Sequence, residues 1–176
     1  MTLQKTRRFD LTKVMYLGLS KSKPEKAAFA AGCFWGIEAA FKDAKGVVKT
    51  IVGYTGGSFE KPTYEDVCSG KTGHAEAVLV EFDPKKISYE KLLELFWKIH
   101  DPTQVNRQGP DVGSQYRSAI YCHTAAQKRM AEASKEKAQK KHSKPIATKI
   151  VKASKFWAAE DYHQDYYAKH GKTCRI

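Results

Sequence analysis

Ala27-Ala28-Phe29-Ala30-Ala31-Gly32-Cys33-Phe34-Trp35-Gly36-Ile37-Glu38-Ala39-Ala40-Phe41 changes character at Gly32-Cys33. Up to Ala31 the run is short and continuously apolar, as in a buried strand. From Phe34 onward the larger side chains fall at 34, 37, 38 and 41, the spacing of one helix face. The stretch therefore predicts a strand that turns into a helix with a cysteine at the joint. A thiol at the first turn of a helix faces unpaired backbone N–H groups and the positive end of the helix dipole, both of which favour thiolate over thiol. As a bare residue Cys33 has two readings, a nucleophile or a core thiol beside two core aromatics.

Working outward, residues 46–54 read as a β-branched strand that ends at the glycine turn Gly56-Gly57. Residues 58–73 have little period and read as a loop. Residues 75–82 form the next strand, with Glu76, Val78, Val80 and Phe82 on one face. Ser88 caps a helix with an apolar stripe through Tyr89, Leu92, Leu93, Phe96 and Trp97, running to about His100. A polar loop over 101–116 leads to a short strand at 117–121. Thr124-Ala125-Ala126-Gln127 is a capping box that opens a Lys-rich helix, and this must stop before Pro145. A strand over 146–152, a helix over 158–170 and a short tail complete the chain. The first part follows the β-α-β-β-α-β order of a split βαβ plait. The expected fold is α+β, a two-layer sandwich around a mixed β-sheet with a ferredoxin-like core. Residues 1–26 read as a basic N-terminal arm. Residues 27–176 read as one catalytic domain with a short C-terminal tail carrying Cys174.

Composition narrows the function. A chain of 176 residues with 41% hydrophobic content suits one domain with a substantial core. No stretch approaches the roughly 18 apolar residues of a membrane span. Met15-Tyr16-Leu17-Gly18-Leu19 is too short for a signal-peptide core, so a cytoplasmic protein without a membrane partner is expected. The cysteines at 33, 68, 122 and 174 have no CxxC pairing and no metal-type spacing; free thiols and no metal are expected. The formal net charge of +12 concentrates in residues 1–26, at +5, and 128–155, at +8. It lies away from the cysteine in sequence and reads as a basic arm and a solvated helix face.

The heptapeptide Gly32-Cys33-Phe34-Trp35-Gly36-Ile37-Glu38 resembles the signature of the A-type peptide-methionine sulfoxide reductases, enzymes that reverse methionine oxidation. Further family-like stretches follow in order from 27 to 174. The resemblance implies a two-layer α+β fold and thiol-dependent reduction of methionine S-sulfoxide, free or in proteins, without metal or organic cofactor. Such a reaction needs a nucleophile for sulfur, an acid for the departing oxygen and a pocket for a methyl group beside a polar S=O. Cys33 would be the nucleophile, ending as a sulfenic acid. The acid must be protonated near neutral pH, which burial favours; Glu76, in the family-like Gly73-His74-Ala75-Glu76, is the candidate. By similarity, Tyr64 and Tyr116 hold the sulfoxide oxygen and Asp111 orients the substrate. Phe34 and Trp35 form the methyl pocket. A second thiol would convert the sulfenic acid to a disulfide that thioredoxin or a similar dithiol reduces. Cys174 is the candidate, with Cys68 as competitor. The tail ends two residues after Cys174, shorter than the glycine-rich tails that often carry such a cysteine in the family.

Tyr162-His163-Gln164-Asp165-Tyr166-Tyr167 also resembles a family stretch, and a structural hydrogen bond is the expected use of its histidine. A monomer with no nucleic-acid partner is expected. Two other readings stay open at this point: a cysteine hydrolase pairing Cys33 with His74 or His163, and a basic nucleic-acid-binding module.

Overall fold

The computed structural model describes residues 23–171. The N-terminal arm is therefore almost wholly outside the described residues, as is Cys174. The chain runs β1 (Glu25–Ala31), α1 (Phe34–Lys42), β2 (Val47–Thr55), α2 (Tyr64–Cys68), β3 (Ala75–Phe82), α3 (Tyr89–Lys98), β4 (Arg107–Gln108), β5 (Asp111–Val112), β6 (Ser118–Cys122), α4 (Ala125–Gln139), β7 (Lys149–Lys152), β8 (Trp157–Ala158) and α5 (Tyr166–Lys169). Six strands form a mixed sheet in the order β7-β6-β1-β3-β2-β8, in which only β6 and β7 pair in parallel. The inner strands β6-β1-β3-β2 give the plait expected from the element order, and the α+β class with helices packed on a mixed sheet is what the structure has.

Period-2 alternation sorts the sheet into two cores. Ala27, Phe29 and Ala31 of β1, with Val78, Val80 and Phe82 of β3, face the helices. There they meet Phe34, Ile37 and Phe41 of α1 and Leu92, Leu93 and Phe96 of α3. Phe29 lies at the centre, its ring 4.8 Å from that of Phe41 and 5.4 Å from that of Phe96. Burying each such ring contributes roughly 1.5–3 kcal/mol. The opposite face is a thinner core of Ala28, Ala30, Ala75, Ala77, Leu79, Ala119 and Tyr121, covered by Ala153 and Phe156. The Lys-rich α4 is mostly exposed and buries only Gln127, Ala131 and Ala138, as a solvated helix should. No helix among the described residues is long and apolar enough to cross a membrane.

Five segments depart from the sequence reading. The strand expected from 27 starts at Glu25, two residues inside the basic arm, and the strand expected over 146–152 is confined to Lys149–Lys152. The loop over 58–73 contains α2, because Thr63 accepts from the N–H of Asp66 while Asp66 accepts from that of Thr63. This reciprocal cap holds even a five-residue helix. The loop over 101–116 contains the β4–β5 hairpin and a 3₁₀ turn at Ser114–Tyr116. The helix expected over 158–170 is confined to Tyr166–Lys169. In its place β8 and a strap of turns run along the free edge of β2. Gln164 is the reason: its Oε1 accepts from Val52 N and its Nε2 donates to Val52 O, both at 2.9 Å, so a side-chain amide takes the place of a strand neighbour. Glu38 of α1 fixes the far end of the strap by accepting from Asp165 N at 2.8 Å.

Candidate active site

The turn between β1 and α1 needs Gly32. Its φ of +98° is a conformation that side chains disfavour, and a Cβ there would lie 2.7 Å from Cβ of Gln108. The chain can thus pass directly from strand to helix and leave Cys33 at the N-cap position of α1. Cys33 is half-buried and makes no capping hydrogen bond with its side chain. The first N–H of the helix is satisfied from another strand: Phe34 N donates to Oε2 of Glu76 at 3.0 Å. That nitrogen is bonded to the carbonyl carbon of Cys33, so the Glu76 carboxyl lies one peptide unit from the cysteine.

Glu76 is only 1% exposed. Burial, reinforced by the charge of Asp111 and opposed by the Phe34 hydrogen bond, pushes its pKa up to about 7. Asp111 in β5 is thus near enough for its charge to act on Glu76. Tyr116, half-buried, is pushed up to about 12 by burial and then by the charges of Glu76, Cys68, Asp111 and Cys33. Tyr64 is also raised, first by its hydrogen bond to Cys68 one turn along α2 and then by burial. Both phenols therefore keep their protons and act as donors. Cys68 itself is raised, mainly by burial, and feels the charge of Glu76.

Trp35 is half-buried, whereas Phe34 is 1% exposed and belongs to the main core. Trp35 stacks on Tyr166, ring centroids 3.8 Å apart and planes 8° from parallel. Its indole N–H donates to Nδ1 of His163 at 3.1 Å. His163 is buried, in ring contact with Phe34, Tyr64 and Tyr162. Sequence reasoning gave this histidine a structural hydrogen bond but did not find its partner, 128 residues away. Glu160 was missed altogether; it accepts from Tyr54 OH and Tyr64 N, each at 2.9 Å. Cys122, buried at the end of β6, is a structural thiol beside the phenol of Tyr89. Eight of the nine candidate site residues, Cys68 included, lie among the described residues, and Cys174 does not. Cys33, Phe34, Glu76, Tyr64, Asp111 and Tyr116 are linked by the hydrogen bond and the electrostatic contacts above, with Trp35 next in line on α1.

Among the described residues no group of three or more His, Cys, Asp or Glu side chains could hold a metal ion. His74 spends Nε2 on the carbonyl of Phe59 and Nδ1 on the N–H of Gly57. His163 turns Nδ1 to Trp35 and Nε2 towards Glu160. Both nitrogens of His74 are thus engaged, and the ring of His163 is turned to Trp35 and Glu160, so neither is presented as the base of a cysteine hydrolase. A cysteine at a helix entrance beside a buried acid whose pKa is raised has the elements that a thiol oxidoreductase needs.

Comparison with known proteins identifies the kind. The family model described as peptide methionine sulfoxide reductase matches residues 25–176. The chain is 64% identical over 149 residues to the peptide methionine sulfoxide reductase MsrA of Methanosarcina acetivorans, spanning 84% of this chain and 79% of that one. The crystal structure of Mxr1 from Saccharomyces cerevisiae in reduced form matches with a TM-score of 0.82 at 37% identity, over 87% of this chain and 90% of that one. The structure of Mxr1 in complex with Trx2 matches with a TM-score of 0.60 at 29% identity, over 92% and 91% of the two chains. This chain belongs to the peptide methionine sulfoxide reductase family, and its reaction is the thiol-dependent reduction of methionine sulfoxide.

Proposed function

We propose that the chain repairs the S epimer of methionine sulfoxide, free or in proteins, with Cys33 as nucleophile and Glu76 as general acid. The observation that carries this reading is the Phe34 N–H to Glu76 hydrogen bond, which ties a buried, proton-holding carboxyl to the residue next to Cys33. The Cys33 thiolate attacks the sulfoxide sulfur while Glu76 protonates the oxygen. The protonated oxygen then passes from the substrate sulfur to Cys33 Sγ as the S–O bond and the new S–S bond break, leaving a cysteine sulfenic acid and free methionine: sulfoxide sulfur gains two electrons and cysteine sulfur loses two. Tyr64 and Tyr116 donate hydrogen bonds to the sulfoxide oxygen. Trp35, with Phe34 buried behind it, is proposed to take the methyl group, and Asp111 to orient the substrate.

A second thiol attacks the sulfenic acid, forming a disulfide and water, and a dithiol exchanges with that disulfide. Cys174 is the proposed resolving thiol. Cys68, close enough to affect Tyr116 and to feel Glu76, is the competitor. The complex of Mxr1 with Trx2 supports thioredoxin as the dithiol. A cytoplasmic monomer that needs no metal or organic cofactor is the accompanying proposal. The test is mass spectrometry after one equivalent of methionine sulfoxide without reductant. One methionine per enzyme and a Cys33–Cys174 disulfide are expected. A Cys33–Cys68 linkage would transfer the resolving role, and absence of methionine would overturn the reading.

A further inference from the structure

Glu160 occupies an unusual position: two hydrogen bonds and one longer electrostatic contact, from three different parts of the fold, converge on its carboxylate. Tyr54 OH of β2 donates to Oε2 and Tyr64 N, the first residue of α2, donates to Oε1. The third is Nε2 of His163, 4.0 Å from Oε2 and buried with no hydrogen-bond partner of its own. The proton on His163 is placed by Trp35. An indole nitrogen can only donate, so Nδ1 of His163 must offer a lone pair and the ring hydrogen must sit on Nε2, facing Glu160. Burial lowers the pKa of His163, which keeps the ring neutral and the Trp35 contact intact. Only a group that accepts and never donates suits all three neighbours, and an ionised carboxylate is such a group.

We infer that Glu160 is a positioning residue for sulfoxide reduction, setting the separation of Trp35 and Tyr64 by fixing His163 behind the one and the backbone of the other. The inference rests on the proposed roles of Trp35 and Tyr64 in holding substrate. Glu160 touches no reacting atom in this arrangement; it acts through the geometry of the pocket, where a displacement of about 1 Å is enough to change turnover substantially.

The experiment uses the full chain carrying Glu160→Gln, which keeps the size of the side chain but turns an amide N–H₂ toward one of the three donors. The indole N–H resonance of Trp35, identified by its loss in Trp35→Phe, is expected to move in the variant. The half-saturating concentration of methionine sulfoxide in single turnovers is expected to rise about tenfold, with the limiting rate of methionine release falling less than about threefold. A folded variant with an unmoved resonance and an unchanged half-saturating concentration overturns the inference, as does one that loses only thermal stability. If Glu160→Gln does not fold, Glu160→Asp, which withdraws the carboxylate by one methylene, is subjected to the same two measurements and the same criteria. Failure of wild-type protein to release methionine would instead count against the proposed function. The resonance shift would still test the link from Glu160 through His163 to Trp35.

Discussion

Phe34 and Glu76, forty-two residues apart in sequence, share a hydrogen bond of 3.0 Å that satisfies the first N–H of α1 with a carboxyl from β3. One contact thus does two things, capping the helix that carries Cys33 and bringing a carboxyl raised to about 7 up to that cysteine. The two consequences are separable by experiment because one is a rate and the other a stability.

The rate consequence follows from the proton. With Glu76 as general acid, the ratio of wild-type to Glu76→Gln single-turnover rates is expected to be on the order of 10² to 10⁴ below neutrality. The ratio should fall about tenfold per pH unit above about 7, as Glu76 ionises. The ionisation of the Cys33 thiol in each protein is measured separately, from the pH dependence of its alkylation, and divided out. A ratio that stays constant from pH 6 to 9 would remove Glu76 from the acid role. Alkylation of Cys33 by iodoacetamide should change little in the variant.

The stability consequence has the opposite sign from that of a salt-bridged acid. Because the folded-state pKa lies above the ordinary carboxylate value, the native state binds the extra proton between about 4.5 and 7. The contribution of Glu76 is therefore complete at low pH and is lost as the pH rises through about 7. Glu76→Gln retains an oxygen for Phe34 N–H and cannot ionise. It is expected to be more stable than wild type at pH 8 by on the order of 2 kcal/mol, with no such gain at pH 4.5. Urea unfolding at the two pH values measures the difference.

Gly32→Ala tests the turn on which the cysteine depends. The new Cβ would meet Gln108 at 2.7 Å in a backbone conformation of φ +98°. Gln108 has little freedom to move aside, since its amide is held between N and O of Asp101. A loss of about 2 kcal/mol or more is expected from strain and overpacking together. Methionine release should fall as well, because Cys33 follows directly. A variant with wild-type stability and rate would show that the turn tolerates a side chain.

Much of the fold was legible because it is written in local periods. The switch at Gly32-Cys33, the apolar run of β3 and the stripe of α3 each decide an element from neighbouring residues, and the α-β order then points to the plait. The C-terminal strap was not legible in this way. Its conformation depends on Gln164 matching Val52 and on Glu38 holding Asp165, contacts over more than a hundred residues that leave no local period. The same holds for the site. Cys33 and Glu76 could be picked out from motif and burial, whereas Glu160 and the partner of His163 emerge only when the strap lies against α1 and α2. In α2 the local signal was present, in Thr63 and Asp66 three residues apart, but the segment was too short to show a helical period.

The Lys-rich surface gives the last prediction, which separates charge from chemistry. Lys137, Lys140 and Lys141 are exposed on or just after α4, a helix whose few buried residues face the core rather than Cys33. If the positive charge served a nucleic-acid partner, reversing it would remove the main activity. If it is a solvated face, the triple change Lys137→Glu, Lys140→Glu and Lys141→Glu should leave single-turnover methionine release within about twofold of wild type. Exposed charges of this kind each change stability by no more than about 0.5 kcal/mol. Cys33→Ser should do the reverse, abolishing release while leaving the charge and fold intact. Side-by-side assay of methionine release in the two variants decides the matter, because chemistry at Cys33 predicts loss in the second and none in the first, whereas a role for the basic face in the reaction predicts loss in the first.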